Sequence, residues 1–239
     1  MKTQLKRKAF TLIEISVVLV IIGIILASVM KGRDLIKSSQ IKEFNQVFVS
    51  QWETIANSYF SRMAAPLDDG EGHGGQTTVA SNGFMDGDDL TTEANAQLVA
   101  KALQDAGIDP CDLIKGDTYT ATGQDYGCGD AELNPFQITV DGEYTGKQTV
   151  QVEFTHYTID GKTKNAIRFY DVPFDVGQAI DTMRDGNADG EKGSILALTE
   201  GNTANAGDTI ATTSLMPWAE TSTGTENRNN RDMLLILEH

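Results

Sequence analysis

The stretch that decides the fold is residues 8–30, KAFTLIEISVVLVIIGIILASVM. Its apolar run, residues 10–30, is long enough to cross a bilayer as a helix and holds one charged side chain, that of Glu14. The preceding residues 1–9, MKTQLKRKA, carry four basic side chains and no acidic ones. Because basic segments stay on the cytoplasmic side of a membrane helix, the sequence predicts that the chain after the span lies outside the cytoplasm.

Two ordinary explanations of an N-terminal apolar segment leave part of this one unexplained. A secretory signal ends in a small-x-small cleavage site, to which residues 27–30, ASVM, are only an approximation. A plain membrane anchor needs the length but not Glu14, and a charged side chain within a span costs about 2.5–3.5 kcal/mol on insertion scales. We therefore expect Glu14 to serve a function.

The residues around Glu14 resemble a known processing motif. Residues 8–14, KAFTLIE, are similar to the cleavage and N-methylation motif of type IV prepilins and type II secretion pseudopilins. The resemblance implies that prepilin peptidase cuts between Ala9 and Phe10, that the new amino terminus at Phe10 is methylated, and that Glu14 is needed for assembly. This chain differs from the family pattern at Ala9, where Gly is usual, and at residues 31–32, KG, near which many pilins have a Pro.

A charge pair gives this motif a physical rationale. Cleavage creates a positive amine at Phe10, and Glu14 lies four residues further on, about 6 Å along a helix. A neighbouring subunit shifted by that rise places its Phe10 amine against this Glu14, and the pair neutralises two charges that are each costly in an apolar filament core. The expected partners are therefore homologous subunits in a helical filament and, as the resemblance implies, the inner-membrane assembly machinery.

The helical pattern continues beyond the span. Pro66 ends it, and Gly23 and Gly32 are the weak points at which the helix could bend or locally extend. We predict one helix over residues 10–65, whose first part is the transmembrane and assembly segment and whose second part buries an apolar stripe against a globular domain. The stripe recurs every three or four residues, as on one face of an amphipathic helix, and consists of Ile41, Phe44, Phe48, Trp52, Ile55, Tyr59 and Met63.

Residues 66–239 are predicted to form a globular α+β extracytoplasmic domain. Segments in which apolar and polar residues alternate predict strands. A Gly that follows apolar residues at helical spacing predicts a helix end, and Asp-Gly pairs predict turns. The predicted fold is a long N-terminal helix packed on a C-terminal antiparallel sheet, the lollipop shape that the resemblance to pilins also implies. The expected elements are a loop at 66–89, a helix at 92–106, strands at 136–140, 149–159 and 165–170, a helix at 175–183, strands at 194–199 and 233–237, turns at 141–142 and 160–161, and a long surface loop at 201–230.

The cysteines and histidines give few signals of chemistry. Cys111 and Cys128 enclose a polar loop and fit one disulfide in an oxidising compartment, with two free buried thiols as the alternative. His73, His156 and His239 show no metal-ligand spacing with one another or with cysteine.

Residues 185–191, DGNADGE, match the front half of a calcium-binding loop, with oxygen-bearing side chains at alternate positions. The candidate ligands are Asp185, Asn187, Asp189 and Glu191. Leu196 stands where the loop needs a bidentate Glu, and clusters of Asp, Asn and Gly are also ordinary surface turns, so calcium and a plain turn both remain open. The resemblance adds weight to calcium, because major pseudopilins bind it in the C-terminal region; residues 86–89, DGDD, are a weaker candidate of the same kind.

Composition narrows the function classes. The formal net charge of -15 argues against nucleic acid as a direct partner, because most of the surface repels phosphate. No nucleophile motif, phosphate loop or dinucleotide fingerprint is present in the sequence, so we expect neither an enzyme nor a cofactor other than calcium.

Two functions remain open. One is a structural subunit of a type IV pilus-like filament or a type II secretion pseudopilus. The other is a minor, tip-located subunit that acts as an adhesin or binds cargo. In both, the precursor is expected in the inner membrane with a single span, and the processed subunit in a periplasmic pseudopilus or an extracellular pilus.

Overall fold

The computed structural model describes residues 12–77, 79–118, 124–129, 133–199, 204–218 and 229–237. The chain divides into two compact units, Met1–Ile41 and Lys42–His239. Helix α1 (Leu12–Phe44) is followed directly by a π-helical turn (Asn45–Val49) and helix α2 (Ser50–Met63). The predicted α+β class is confirmed, because this long helix precedes an antiparallel sheet.

Helix α2 ends where the sequence predicts. Ala64 adopts a left-handed conformation with φ of 53°, and its N–H donates to the carbonyl oxygen of Phe60 at 2.9 Å. Pro66 lacks an N–H group and cannot continue the helical ladder.

The π-turn and α2 bury most of the predicted stripe in the second unit. Trp52 stacks on Phe136 with ring centroids 5.2 Å apart and meets Phe154 edge-on at 5.4 Å. Met63 is 40% exposed, so the stripe ends one turn earlier than predicted. The buried members of the stripe, each at most 4% exposed, are Phe44, Phe48, Trp52, Ile55 and Tyr59.

The π-helical turn that interrupts the long helix lies at Asn45–Val49 and not at either of the helix's glycines. Gly23 and Gly32 lie in uninterrupted α-helix. A π-turn accommodates one extra residue, and here Phe48 and Val49 are both fully buried. Packing of two adjacent apolar residues into the core therefore accompanies the irregularity, and no Gly or Pro lies within it.

The rest of the second unit is an antiparallel sheet with helices beside it. In chain order the elements are α3 (Glu93–Asp105), α4 (Pro110–Leu113), β1 (Asp117–Thr118), β2 (Leu133–Asn134), β3 (Gln137–Gly142), β4 (Gly146–Ile159), β5 (Lys162–Val172), α5 (Phe174–Asp185), β6 (Ile195–Ala197), β7 (Thr209–Ile210) and β8 (Arg231–Ile236). The strand order of the sheet is β3-β4-β5-β8-β6, with every neighbouring pair antiparallel, and β7 pairs in parallel with the end of β4.

The two predicted Asp-Gly turns have different outcomes. The turn at Asp160 and Gly161 is confirmed, with φ of 51° and 72°, the left-handed values that a two-residue hairpin loop requires. The turn predicted at residues 141–142 is wrong, because Gly142 still pairs with Gly146 in the ladder. A Cβ built on Gly142 would lie 2.5 Å from the Cβ of Pro173, so this glycine allows close packing.

The segment predicted as a long surface loop, residues 201–230, is partly ordered into the core. It contains β7, and Leu215 forms a bridge with Leu198. Trp218 is fully buried, and a Cβ built on Gly177 would lie 2.2 Å from its ring. The missing side chain of this helical glycine makes room for the indole.

Candidate functional site

The first candidate site is the N-terminal part of α1, residues 12–30. Its large apolar side chains are all exposed, from 46% for Ile22 to 88% for Leu12. The helix is long and apolar enough to cross a membrane. Since exposed apolar area costs about 25 cal/mol per Å², such a surface is stable only when lipid or other protein covers it.

Glu14 lies in the first turn of α1, where the positive end of the helix dipole favours a carboxylate by about 0.3–1 kcal/mol. It is the one ionisable residue of the sequence between residues 10 and 30. The neighbouring hydroxyl of Ser16 donates within the helix, to the carbonyl oxygen of Ile13 at 2.8 Å. Ala9 and Phe10 lie outside the described residues, so cleavage and methylation there stay predictions.

The predicted disulfide is present between Cys111 and Cys128, with Cα atoms 5.6 Å apart. The carboxylate of Asp109 caps α4 by accepting the N–H of Cys111 at 3.0 Å. Gly127 directly precedes Cys128, and a Cβ built on it would lie 2.2 Å from the Cβ of Ala100. The chain at Cys128 therefore packs tightly on α3. Closing a loop with a sequence separation of 17 stabilises the fold by about 3 kcal/mol in the chain-entropy model.

The candidate calcium loop is held together by its own carboxylates. Asp185 Oδ2 accepts the N–H groups of Ser194 and Ile195 at 2.9 Å each, and Oδ1 accepts the hydroxyl of Ser194 at 2.8 Å. These three bonds close the loop between α5 and β6.

The other candidate ligands also bond within the loop. Asp189 Oδ1 accepts the N–H groups of Glu191 at 3.1 Å and Lys192 at 2.9 Å, while Oδ2 accepts from the amide of Asn187 at 3.2 Å. Across the part of the chain that the structure describes, no three His, Cys, Asp or Glu side chains are placed to hold a metal ion. Calcium binding at Asp185 stays a prediction, and it would require these internal hydrogen bonds to exchange for metal contacts.

Asp181, which the motif did not include, lies beside this loop and is fully buried. Its Oδ2 accepts the N–H of Gly190 at 2.8 Å, and its Oδ1 has no hydrogen-bond partner within the described ranges. Burial raises the pKa of this carboxyl to about 7.

The Gly/Asp-rich segment predicted as a loop folds around buried carboxylates. Asp69 accepts the hydroxyl of Ser81 at 2.8 Å and the N–H groups of Asn82 and Gly83 at 2.7 and 2.9 Å. Asp68 is fully buried, and burial raises its pKa well above the ordinary range. The segment therefore has a fixed conformation set by side-chain to backbone hydrogen bonds.

This segment forms one wall of a cavity of about 560 Å³, whose other walls are β4, β5 and residues 204–206. Glu153 of β4 is 7% exposed, and Tyr170 of β5 donates its hydroxyl to Glu153 Oε2. The guanidinium of Arg168 lies 4.3 Å from the centre of the Tyr170 ring and forms a 2.6 Å ion pair with Asp232. Burial raises the pKa of Glu153 to about 7.

Two of the histidines have ordinary structural partners. His73 Nδ1 lies 3.2 Å from the hydroxyl of Tyr59, and His156 Nδ1 lies 2.6 Å from the carbonyl oxygen of Met85. His239 lies outside the described residues.

Comparison with known families gives one result, at the N-terminus. Residues 4–30 match the family model described as the prokaryotic N-terminal methylation motif, the signature of type IV pilins and pseudopilins. This match confirms what residues 8–14 suggested about the N-terminal segment. No curated protein and no solved structure matched the chain.

Proposed function

We propose that the chain is the precursor of a filament subunit of the type IV pilus or type II secretion pseudopilus class, polymerised through its N-terminal helix. The observation that carries the proposal is the coincidence, in residues 4–30, of the methylation motif with an apolar helix that is exposed along its length. Lipid covers the apolar side chains of such a helix in the monomer, and other copies of the helix cover them in a filament core.

Processing comes first in the proposed sequence. Prepilin peptidase removes residues 1–9 by cutting between Ala9 and Phe10, and the new amine at Phe10 is methylated. Mass spectrometry of the membrane-extracted protein is expected to show a mature chain that begins at a methylated Phe10. Cells without the peptidase are the control and should retain residues 1–9. A mature chain that begins near Met30 would instead indicate an ordinary secretory signal and contradict the proposal.

The proposed location is the inner membrane, with the second unit outside the cytoplasm. The basic residues 1–9 favour this orientation. The Cys111–Cys128 disulfide supports it independently, because such bonds persist in oxidising compartments and are rare in the cytosol.

Glu14 is the proposed assembly residue. In the lipid-held monomer a carboxylate near the bilayer edge is tolerated through local water or protonation. In the filament the positive Phe10 amine of a neighbour replaces those interactions, and the pair removes the cost of two separate buried charges. Glu14 thus favours the assembled state over the monomer without contributing to the fold of the second unit.

A second candidate is a minor, tip-located subunit that contacts a surface or a secreted cargo. The acidic cavity of about 560 Å³ in the second unit favours it, because a purely structural subunit has no need of such a site. Abundance separates the two functions: a major subunit dominates the sheared filament fraction, whereas a minor one is scarce in it.

A further inference from the structure

The exposed surface of α1 continues beyond its apolar run. Residues 31–37, KGRDLIK, follow that run directly, lie in unbroken α-helix and hold three basic side chains and one acidic one, so we call them the basic segment. Within it Lys31 and Arg33 are exposed, and Leu35 and Ile36 are 73% and 62% exposed. Each of these two basic side chains lies three or four residues from one of the apolar ones, so basic and apolar groups are neighbours on the helix surface.

Lipid hydrocarbon does not reach the apolar part of the basic segment. With residues 10–30 across the bilayer, Leu35 and Ile36 lie five and six residues past the apolar run, about 7.5–9 Å further along the helix. The headgroup layer beyond the hydrocarbon is about 5–7 Å thick on each side. Both side chains therefore lie at or beyond the outer edge of the headgroups, and another protein surface is needed to cover them.

The second unit carries the opposite charge in excess. Residues 42–239 hold 32 acidic and 12 basic side chains, a formal net charge of -20. Some of those basic side chains are already paired inside the unit, such as Arg168 with Asp232 at 2.6 Å. Within the described ranges, neither Lys31 nor Arg33 forms an ion pair. The basic segment and the second unit therefore have complementary charge.

Complementary surfaces on one kind of subunit lead to an open assembly. A contact between two unlike surfaces of identical subunits repeats from copy to copy, and where it does not close into a ring it forms a helical filament. Each copy of this chain presents both a basic segment and an acidic second unit. At physiological ionic strength charges more than about 8 Å apart are largely screened, so the attraction requires the two surfaces to touch.

We propose that the basic segment of one subunit docks against the acidic second unit of a neighbouring copy, with its basic side chains in ion pairs and its apolar side chains covered. This inference rests on the proposed filament function and adds a second contact to the pairing of Glu14 with Phe10. The Glu14 contact lies in the apolar core of the filament, whereas the contact of the basic segment lies beyond the membrane span. Either contact can therefore be removed without removing the other.

An anionic membrane surface is the competing partner. Lys31 and Arg33 lie one and three residues past the apolar run, within the headgroup layer, where lipid phosphates attract them. Lipid phosphates leave Leu35 and Ile36 in contact with water, however. A protein surface that is acidic and touches the helix satisfies both kinds of side chain, so the observations favour the second copy.

Charge reversal tests the proposed contact in filaments. The double variant Lys31→Glu, Arg33→Glu replaces attraction by repulsion, and we expect the ratio of filament-bound to membrane-bound chain to fall at least about fivefold. The double variant Lys31→Arg, Arg33→Lys keeps both charges and should stay within about twofold of the wild type. The matched control is Lys162→Glu, Lys164→Glu, which makes the same change of net charge at two exposed positions of the second unit and should not lower the ratio.

Photo-crosslinking identifies what covers the basic segment. Benzoylphenylalanine in place of Leu35, irradiated in sheared filaments, should give a covalent dimer whose linked peptide lies within residues 42–239. The same group in place of Ile25 is the control, because Ile25 lies in the apolar run and should link to residues 10–30 of another copy. Mass spectrometry of the linked peptides distinguishes the two positions.

Three results would overturn the proposal. One is a normal ratio for Lys31→Glu, Arg33→Glu while the wild type enters filaments, a result that leaves the filament function intact. Another is an equal loss in that variant and in the matched control, which would indicate diffuse repulsion between acidic subunits. The third is loss of the reversal variant from the membrane in the same proportion as from filaments, with crosslinks from position 35 to lipid alone, which would assign the segment to an anionic membrane surface.

Two further readings complete the test. Wild-type chain that is processed at Phe10 but absent from every sheared fraction would refute the filament function and this contact together. The melting temperature of the second unit should be the same in all variants, which shows that a lower ratio does not come from misfolding. If a reversal variant did not accumulate, the crosslink from position 35 in the otherwise wild-type chain would decide.

Discussion

Ile25 and Ile55 have the same side chain and both lie in the long N-terminal helix, but their surroundings differ. In the first unit Ile25 is 55% exposed, and in the second unit Ile55 is 1% exposed. The sequence around Ile25 is apolar on every side, whereas the sequence around Ile55 alternates polar and apolar residues with a helical period. The pattern around an apolar residue, more than the residue itself, determines whether the chain buries it.

This difference separates two sources of stability. The second unit closes its own core, with Trp52 and Trp218 fully buried. The described part of the first unit buries none of its apolar window and therefore depends on its surroundings for stability. Substitutions in the second unit should change folding, and substitutions in residues 12–30 should change membrane insertion or assembly.

The largest effect is expected at Glu14. If Glu14→Gln removes the partner of a neighbouring Phe10 amine, an uncompensated charge remains in the filament core, at a cost of about 3–5 kcal/mol. We expect this variant to be nearly absent from the sheared filament fraction while its amount in the membrane is unchanged. Quantitative immunoblotting of both fractions measures the ratio.

Cleavage serves as the internal control for this experiment. The proposed cut lies before Phe10, so the mature N-terminus should be the same in Glu14→Gln and in the wild type. Normal incorporation of Glu14→Gln would refute charge pairing, because a residue that only favours the helix N-terminus is worth about 0.3–1 kcal/mol. It would leave the processing proposal intact.

The isoleucine pair gives the second prediction. Ile55→Ala removes three methyl or methylene groups from a closed core and should lower the free energy of unfolding by about 2–5 kcal/mol. Ile25→Ala removes the same atoms from an exposed position and should change it by less than about 0.5 kcal/mol. Urea unfolding of the detergent-held chain, followed by tryptophan fluorescence, reports on the second unit, because both tryptophans lie in its core.

Equal destabilisation by the two variants would contradict the division into two units. A reduced filament yield for Ile25→Ala with normal unfolding would sharpen the division, because it would place the role of that side chain in assembly.

Much of this architecture follows from sequence pattern alone. The helix end before Pro66, the stripe around Trp52 and the Asp160-Gly161 hairpin each depend on residues close together in the chain, so periodicity and turn chemistry predict them. The disulfide followed from having two cysteines in a chain expected outside the cytoplasm. The methylation motif lies within residues 4–30, and its match depends on local sequence only.

What could not be predicted depends on contacts between distant residues. The buried position of Trp218 requires the space that Gly177 leaves on α5, and nothing near Trp218 in the sequence shows that space. The cavity depends on Glu153 meeting the segment around Gly87, which is 66 residues earlier in the sequence. Glu153 alternates with apolar residues in a strand and therefore resembles an ordinary solvent-facing position.

A smaller effect is expected from Asp185. Asp185→Ala removes the acceptor of three hydrogen bonds that close the loop before β6, and we expect the second unit to lose about 1–3 kcal/mol of stability. Thermal unfolding measures this loss.

Adding and chelating calcium tests the alternative for the same loop: a bound ion would raise the wild-type melting temperature, and Asp189→Ala would abolish that response. A loss in Asp185→Ala that calcium does not influence indicates a hydrogen-bonded turn.

An effect of similar size concerns the pH dependence that Glu153 gives to the second unit. Burial raises the pKa of this carboxyl from 4.5 to about 7, against the opposing influence of the Tyr170 hydroxyl and the Arg168 guanidinium. The negative charges of Asp232 and Asp89 act in the same direction as burial and are part of this rise. Between these two pKa values the folded state binds more protons than the unfolded state, so the free energy of unfolding falls as pH rises.

The contribution of Glu153 is therefore complete below pH about 4.5 and is lost as the pH rises through about 7, and we expect a change of about 2–3 kcal/mol between pH 5 and 8. Glu153→Gln cannot titrate and should flatten part of this slope. The rest should persist, because burial also raises the pKa of Asp181 to about 7 and that of Asp68 well above its ordinary range. Asp181→Asn should remove only the part that belongs to Asp181. Urea unfolding at pH 5, 6, 7 and 8 measures all three chains. One result would contradict the prediction: Glu153→Gln keeps the full wild-type dependence of the unfolding free energy on pH, and Asp181→Asn abolishes it. The group that titrates would then be Asp181, beside the loop after α5, and Glu153 would be ionised throughout this pH range.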